Sequence, residues 1–183
     1  MREIEIKLPA SDLNSVAKKL ESLGCVISAP KTQEDRNFVH KDDVKWFESS
    51  THRNWVYPRL RIQEGKPLTL TVKKPVSNEM DCVENELHVD NAEALTEIMK
   101  MFDYLPGVIV KKTRRTTQYK NFEITIDQVE NLGSFVEIEQ VVEDGNAEEM
   151  QKEMFRWAKE VLNLEKDEKI MKGYDVLMHL TQQ

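Results

Sequence analysis

Cysteine is scarce in this 183-residue chain: Cys25 and Cys82 are the only two, and they lack metal-ligand spacing. Two isolated thiols suit a reduced, cytoplasmic protein. The four histidines show no triad arrangement, and no His/Cys cluster offers a soft metal such as zinc a home. No long apolar run and no signal peptide is present, so no membrane span is expected. Glycine and proline number six each and form no linker, low-complexity tract or solenoid repeat, which leaves one domain over residues 1–183. Aromatic stacking platforms are absent and the net charge is −7, two features that argue against a nucleic-acid partner.

What is abundant is charge, 32% of residues, and it is patterned. In Met1-Arg2-Glu3-Ile4-Glu5-Ile6-Lys7 a strand's period of two puts Glu3, Glu5 and Lys7 on one face and the isoleucines on the other. The same alternation returns in Tyr57–Gln63 (Arg59, Arg61 and Gln63 against Leu60 and Ile62), Leu68–Lys74, Val83–Val89, a long strand from Val108, Phe122–Asp127 and Phe135–Val141. Gln33–His40 adds another strand, with Asp35, Asn37 and Val39 on one face. Helical spacing appears after Ser11 (Leu13, Val16, Ala17, Leu20, Leu23), after Asn91 (Leu95, Ile98, Met99, Phe102, with Pro106-Gly107 as the stop) and after Asn146 (Met150, Met154, Trp157, Ala158, Val161). Lys172–Leu180 adds a short last helix, and the polar stretch 41–54, with Trp46, Phe47 and neighbouring Trp55, reads as a loop.

About eight strands, mostly consecutive, favour an antiparallel sheet closed on itself, because closure removes exposed edges. The expected class is α+β: an eight-stranded antiparallel closed β-barrel with helices packed outside. The aliphatic faces would lie under the helices and the charged faces would line the lumen.

Carboxylates confined in a lumen need partners. Glu3, Glu5, Glu84, Glu86, Asp127, Glu137 and Glu139 are too many for protonation alone to neutralise, and Mg²⁺ or Mn²⁺ prefers such oxygen ligands. Lys7, Arg59, Arg61, Lys73, Lys112 and Arg114 supply the donors that grip phosphate oxygens. The run Lys111–Arg115 admits a second frame, in which Lys111 and Arg115 would face inward instead.

These segments resemble the CYTH superfamily, the triphosphate tunnel metalloenzymes, which include class IV adenylyl cyclases and thiamine-triphosphatases. Glu3-Ile4-Glu5-Ile6-Lys7 matches the ExExK signature, and Leu60-Arg61-Ile62, Leu70-Thr71-Val72-Lys73, Glu84-Asn85-Glu86 and Val110–Arg114 follow in the family's order. Ile126–Gly133 followed by Phe135–Glu139 resembles the most characteristic segment. By matched position the resemblance implies Glu3, Glu5, Glu137 and Glu139 as metal ligands with Asp127 in or beside that shell. It implies Lys7, Arg61, Lys73, Lys112 and Arg114 as phosphate donors, with Arg59 compensating where Gln63 replaces an expected Arg. Glu84 and Glu86, with Asp127, would do the catalytic positioning. Cys82 and Thr117 also depart from the pattern.

The resemblance implies either metal-dependent hydrolysis of a triphosphate or cyclisation of ATP to cyclic AMP and pyrophosphate. No residue pattern plainly reads adenine, which favours hydrolysis of inorganic tripolyphosphate or of a nucleoside or thiamine triphosphate. A noncatalytic polyphosphate-binding module is the rival reading. The expected partner is a small-molecule triphosphate, and the chain is expected to be a monomer or homodimer.

Overall fold

The computed structural model describes residues 1–43, 56–165 and 170–181. The loop aromatics Trp46, Phe47 and Trp55 lie outside the described residues. The chain runs β1 (Arg2–Pro9), α1 (Leu13–Ser22), β2 (Lys31–His40), β3 (Tyr57–Gln63), β4 (Leu68–Pro75) and β5 (Asp81–Val89). It continues through α2 (Ala92–Met101), β6 (Tyr104–Tyr119), β7 (Phe122–Val129), β8 (Gly133–Val142), α3 (Ala147–Trp157) and α4 (Tyr174–Thr181). The strands close into an antiparallel barrel in the order β1-β5-β4-β3-β2-β6-β7-β8.

The barrel is inside out. Ile4, Ile6 and Leu8 of β1, Ile124 and Ile126 of β7, and Val136 and Ile138 of β8 form one buried cluster with Val16, Ala17 and Leu20 of α1 and Met154 of α3. Each such aliphatic side chain contributes roughly 1.5–3 kcal/mol by leaving water. On the opposite flank, Phe38, Leu60 and Leu70 pack with Leu95 and Met99 of α2. Since the aliphatic residues are used on the outside, the period of two sends their charged neighbours into the lumen.

α1, α2 and α3 start on side-chain caps: Asp12 accepts from the amides of Asn14 and Ser15, Asn91 from Ala94, and Asn146 from Glu148 and Glu149. One expectation fails in detail. Pro106-Gly107 does not end α2, which stops at Met101; Asp103 turns the chain at φ 63° and β6 begins at Tyr104. The pairing shifts there, from Arg36 opposite Ile109 to Phe38 opposite Pro106, so a bulge accommodates the proline inside the strand. Gly107 fits because a Cβ would stand 3.0 Å from Val39 Cγ2 and 3.2 Å from the Asn37 carbonyl oxygen. Ile98 and Phe102, expected on the buried stripe, are exposed, since α2 faces the Leu60/Leu70 patch with Leu95, Met99 and Ala92.

The seam between β1 and β5 is short, with only Arg2, Glu3 and Ile4 in register with Val83, Cys82 and Asp81. Buried Gln151 of α3 closes it, its amide donating to the carbonyls of Glu5 (3.1 Å) and Met80 (3.3 Å). A helix therefore holds the strand that carries Glu3, Glu5 and Lys7. No helix among the described residues is long and apolar enough to cross a membrane.

Candidate active site

A cavity of about 610 Å³ occupies the lumen, lined by ten carboxylates and six bases. The bases are Lys7, Arg59, Arg61, Lys73, Lys112 and Arg114, the same six read from the alternation. The ambiguous run resolves by register: Lys112 lies opposite Val129 and Arg114 opposite Asp127, both inward, while Lys111 is exposed and pairs with Glu34 outside at 3.7 Å. Lys112→Ala should weaken tripolyphosphate binding by about tenfold or more, and Lys111→Ala by less than about twofold, in a calorimetric titration.

The charges divide into two walls. β4, β3, β2 and β6 carry Lys73, Arg59, Arg61, Lys112 and Arg114. The strands β7, β8, β1 and β5 carry Glu123, Glu137, Glu139, Glu3, Glu5, Glu84 and Glu86, with Lys7 of β1 the one lining base among them.

On the basic wall, Asp35 is the hub. It is buried, and Arg61 donates to both of its oxygens (2.9 and 3.1 Å), as does the Gln33 amide; Arg59 and Lys112 each approach at 3.8 Å. Against the cost of burial, the charges of Arg61, Arg59 and Lys112 hold its carboxyl well below the ordinary range. Asp127, on β7 next to β6, is a second hub of the same kind. It receives Arg114 Nε at 2.7 Å, the Tyr174 hydroxyl at 3.0 Å and Lys112 at 3.6 Å. Glu137 pairs with Arg114 and, at 3.2 Å, with Lys7, whose charges overcome burial and keep it well below the usual range. Lys73 pairs with Glu84, and the Glu5 and Glu84 charges outweigh burial to raise the ammonium above its ordinary value. Burial, then Arg114, pushes Lys112 the other way, to about 8. Arg59 Nε is buried without a hydrogen-bond acceptor among the described residues. A buried guanidinium N–H left this way costs free energy until an acceptor arrives.

The acidic wall is built differently. Glu5 lies directly opposite Glu139, and Glu139 directly opposite Glu123, so three carboxylates stand in register across β1, β8 and β7. Like charges in that position destabilise a sheet. Burial, then the charges of Glu139 and Glu84, raises Glu3 to about 9; burial, then Glu5, raises Glu139 to about 7. Neither Glu5 nor Glu139 has an ion-pair partner among the described residues. These are hard oxygen donors short of positive charge, chemistry that fits a Mg²⁺- or Mn²⁺-sized cation. Among the described residues no three of them already converge on a single ion position.

Glu86 accepts the Thr71 hydroxyl at 2.7 Å near the exposed end of β5, beside the half-exposed Thr69–His88 contact. Gln63 lies on β3 opposite Gln33 and outside the cavity lining; Cys82 lines the cavity opposite Glu3, with its thiol raised to about 12 by burial. Sequence reasoning passed over several lining residues: Asp35, Glu79, Glu123, Tyr174 and Asp175. Asp35 and Glu123 did show in the alternation, Asp35 with Asn37 and Val39 and Glu123 with Thr125 and Asp127, but neither falls in a Glu-x-Glu pair. Tyr174 and Asp175 gave no such signal, since α4 reads as an ordinary amphipathic helix.

A family model described as the CYTH domain matches residues 1–174. The chain is 29% identical over 177 residues to a Methanocaldococcus jannaschii protein named as a candidate adenylate cyclase, a match covering 95% of this chain and 97% of that one. Its fold is similar to that of PH1819 from Pyrococcus horikoshii, with TM-score 0.78, 24% identity and 99% of both chains covered. It is also similar to HpAC1 from Hippeastrum, a candidate adenylyl cyclase described as having a dominant triphosphatase activity (TM-score 0.58, 14% identity, 87% of this chain and 86% of that one).

Proposed function

Because this chain belongs to the CYTH domain family, we propose that it hydrolyses a triphosphate in its tunnel with the help of Mg²⁺ or Mn²⁺. The observation that carries the reading is the facing of the two walls. A triphosphate lying against Arg59, Arg61, Lys73, Lys112 and Arg114 would face Glu3, Glu5 and Glu139 across one cavity. With ten carboxylates against six bases, the lumen itself is formally negative, so a polyanion needs accompanying cations to enter it. Glu3, Glu5 and Glu139 would hold the cation, because the oxygens of Asp127 and Glu137 are already taken by Arg114, Lys112 and Lys7. When bound, the ion supplies charge neutralisation and polarises phosphoryl oxygens.

The chain's own residues do the rest. Arg59 gives its unmet Nε–H to a phosphate oxygen, and Arg61 and Arg114, fixed by Asp35 and Asp127, present their remaining N–H groups in set directions. Glu84 and Glu86 stand on β5 beside the phosphate path and orient the attacking water. Its oxygen forms a bond to the terminal phosphorus while the bridging P–O bond breaks, releasing orthophosphate and the shortened anion. HpAC1, described as having dominant triphosphatase activity, supports hydrolysis. The Methanocaldococcus relative named as a candidate adenylate cyclase supports a second reading, attack by the ATP ribose hydroxyl on the α-phosphorus with release of pyrophosphate.

The deciding experiment incubates the protein with tripolyphosphate, ATP and thiamine triphosphate, each with Mg²⁺, Mn²⁺ or EDTA, and quantifies orthophosphate, pyrophosphate and cyclic AMP together. Orthophosphate formed only with metal is the expected result. Cyclic AMP with matching pyrophosphate would replace it by cyclisation. Metal-independent binding with no product would leave a polyphosphate-binding module.

A further inference from the structure

The start of α4 reaches the cavity, where Gly173, Tyr174, Asp175 and Val176 line it. Val110, Val129, Phe135, Ile170 and Tyr174 form a separate buried cluster there, with Leu132 and Leu177 packed on it. The segment is tied down by polar contacts as well. Lys7 Nζ donates to the Lys172 carbonyl at 2.9 Å, and Glu79 receives Lys172 Nζ (3.5 Å) and the Gly173 amide (3.4 Å).

Tyr174 makes more contact with the phosphate-binding machinery than its apolar neighbours require. Lys7 Nζ stands 4.1 Å from its ring centroid and Lys112 Nζ 4.8 Å, while its hydroxyl donates to Asp127 at 3.0 Å. Phe135 holds the ring from the side, with centroids 5.3 Å apart at 62°. We infer that Tyr174 is a positioning residue: its ring aims Lys7 and Lys112 into the lumen, and its hydroxyl fixes the Asp127 carboxylate that aims Arg114. The inference rests on reading the tunnel as a triphosphate site, and it adds that the site is completed from the far C-terminal side of the fold.

The physical need is clear. A lysine ammonium sits on a flexible four-carbon stem and can take several positions around its carboxylate partners unless a further contact fixes it. Lys7 has Glu137 within 3.2 Å, and Lys112 has Asp127 and Asp35 within 3.8 Å. An electron-rich ring face attracts both ammoniums, so each is held between the ring and its carboxylate partners.

The test compares Y174F, which keeps the ring and loses the hydroxyl, with Y174L, which loses both. Two readouts are taken: tripolyphosphate affinity by calorimetry with Mg²⁺ present, and proton shifts of the lysine ε-methylenes, assigned with K7R and K112R. In the wild-type protein the ε-protons of Lys7 and Lys112 are expected upfield of surface lysines, because they lie over a ring. Y174L should abolish that shift and weaken binding by about tenfold or more. Y174F should retain the shift and bind within about threefold of wild type. Equal affinity for Y174L and wild type, or an equal loss in Y174F and Y174L, overturns the inference. Unshifted lysine ε-protons in the wild-type protein overturn it even if Y174L does not fold. If wild type itself does not bind tripolyphosphate, the functional reading falls, whereas the lysine shifts still decide the positioning geometry.

Discussion

Replacing Glu139 by glutamine is expected to stabilise the metal-free protein while cutting metal-dependent turnover by about a hundredfold or more. The two effects share one cause. Glu139 sits between Glu5 and Glu123 in register across three strands, and burial followed by the Glu5 charge raises it from 4.5 to about 7. An acid whose folded value is raised stabilises the fold least where it must ionise. Below about 4.5 both folded and unfolded chains carry the proton and no penalty exists. As pH rises from there towards 7, the unfolded chain ionises first and stability drains away, to a loss on the order of 2 kcal/mol once screening at the tunnel mouth is allowed for. Glu3, raised to about 9 by burial and the Glu139 and Glu84 charges, extends the same fall to more alkaline pH. Asp35 and Glu137 act oppositely, because their depressed values remove stability only as pH drops through the acid range.

The melting temperature of the metal-free wild type should therefore decline between pH 6 and pH 9, and Glu139→Gln should flatten the decline. Adding Mg²⁺ should raise the wild-type melting temperature more at pH 8.5 than at pH 6, since the ion replaces the proton as the neutralising charge. If Glu139→Gln melts below wild type at pH 8.5 without metal, the carboxylate row is not an uncompensated cluster.

The features of this site that were legible in advance share a local cause. Where aliphatic residues alternate with charges, as in Glu3-Ile4-Glu5-Ile6-Lys7 or Arg59-Leu60-Arg61, the need to bury the aliphatic face fixes the direction of the charged one, and no long-range knowledge is required. The two frames for Lys111–Arg115 could not be separated that way, because charges occupy both faces; the pairing of Arg114 with Asp127 decides it. Bulges escape such reasoning too. The shift at Asn37 depends on the partner strand carrying Pro106-Gly107, far along the sequence. Tyr174 was invisible for a different reason. Its apolar neighbours make it look like core, which it is, and only the closed barrel brings it to Asp127, Lys7 and Lys112. Tertiary approach between residues so distant in sequence leaves no periodic trace.

Two arginines on the same wall should respond to alanine in opposite ways, and the contrast separates binding from stability. Arg59 is loosely held: Asp35 is 3.8 Å away, Thr71 is 3.4 Å away, and Nε has no acceptor among the described residues. Its removal leaves Asp35 paired with Arg61 through two hydrogen bonds, so the fold loses little. The lost donor should weaken tripolyphosphate binding by about ten- to a hundredfold, the worth of a charge-assisted hydrogen bond. Arg114 instead neutralises Asp127 and Glu137 together, both buried. Arg114→Ala leaves two buried carboxylates to Lys7, Lys112 and the Tyr174 and Thr125 hydroxyls. Breaking such a pair costs about 3–5 kcal/mol, enough to lower the melting temperature by many degrees along with the affinity. The double change Arg114→Met with Asp127→Asn should recover part of the stability and none of the binding, because it removes one of the two orphaned charges, leaving Glu137 to Lys7, without restoring the donor. Denaturation midpoints and calorimetric affinities measured on the same preparations check all three variants. Arg59→Ala destabilising the fold as much as Arg114→Ala would mean that the unmet donor is structural, and that the phosphate contacts must be sought elsewhere on the wall.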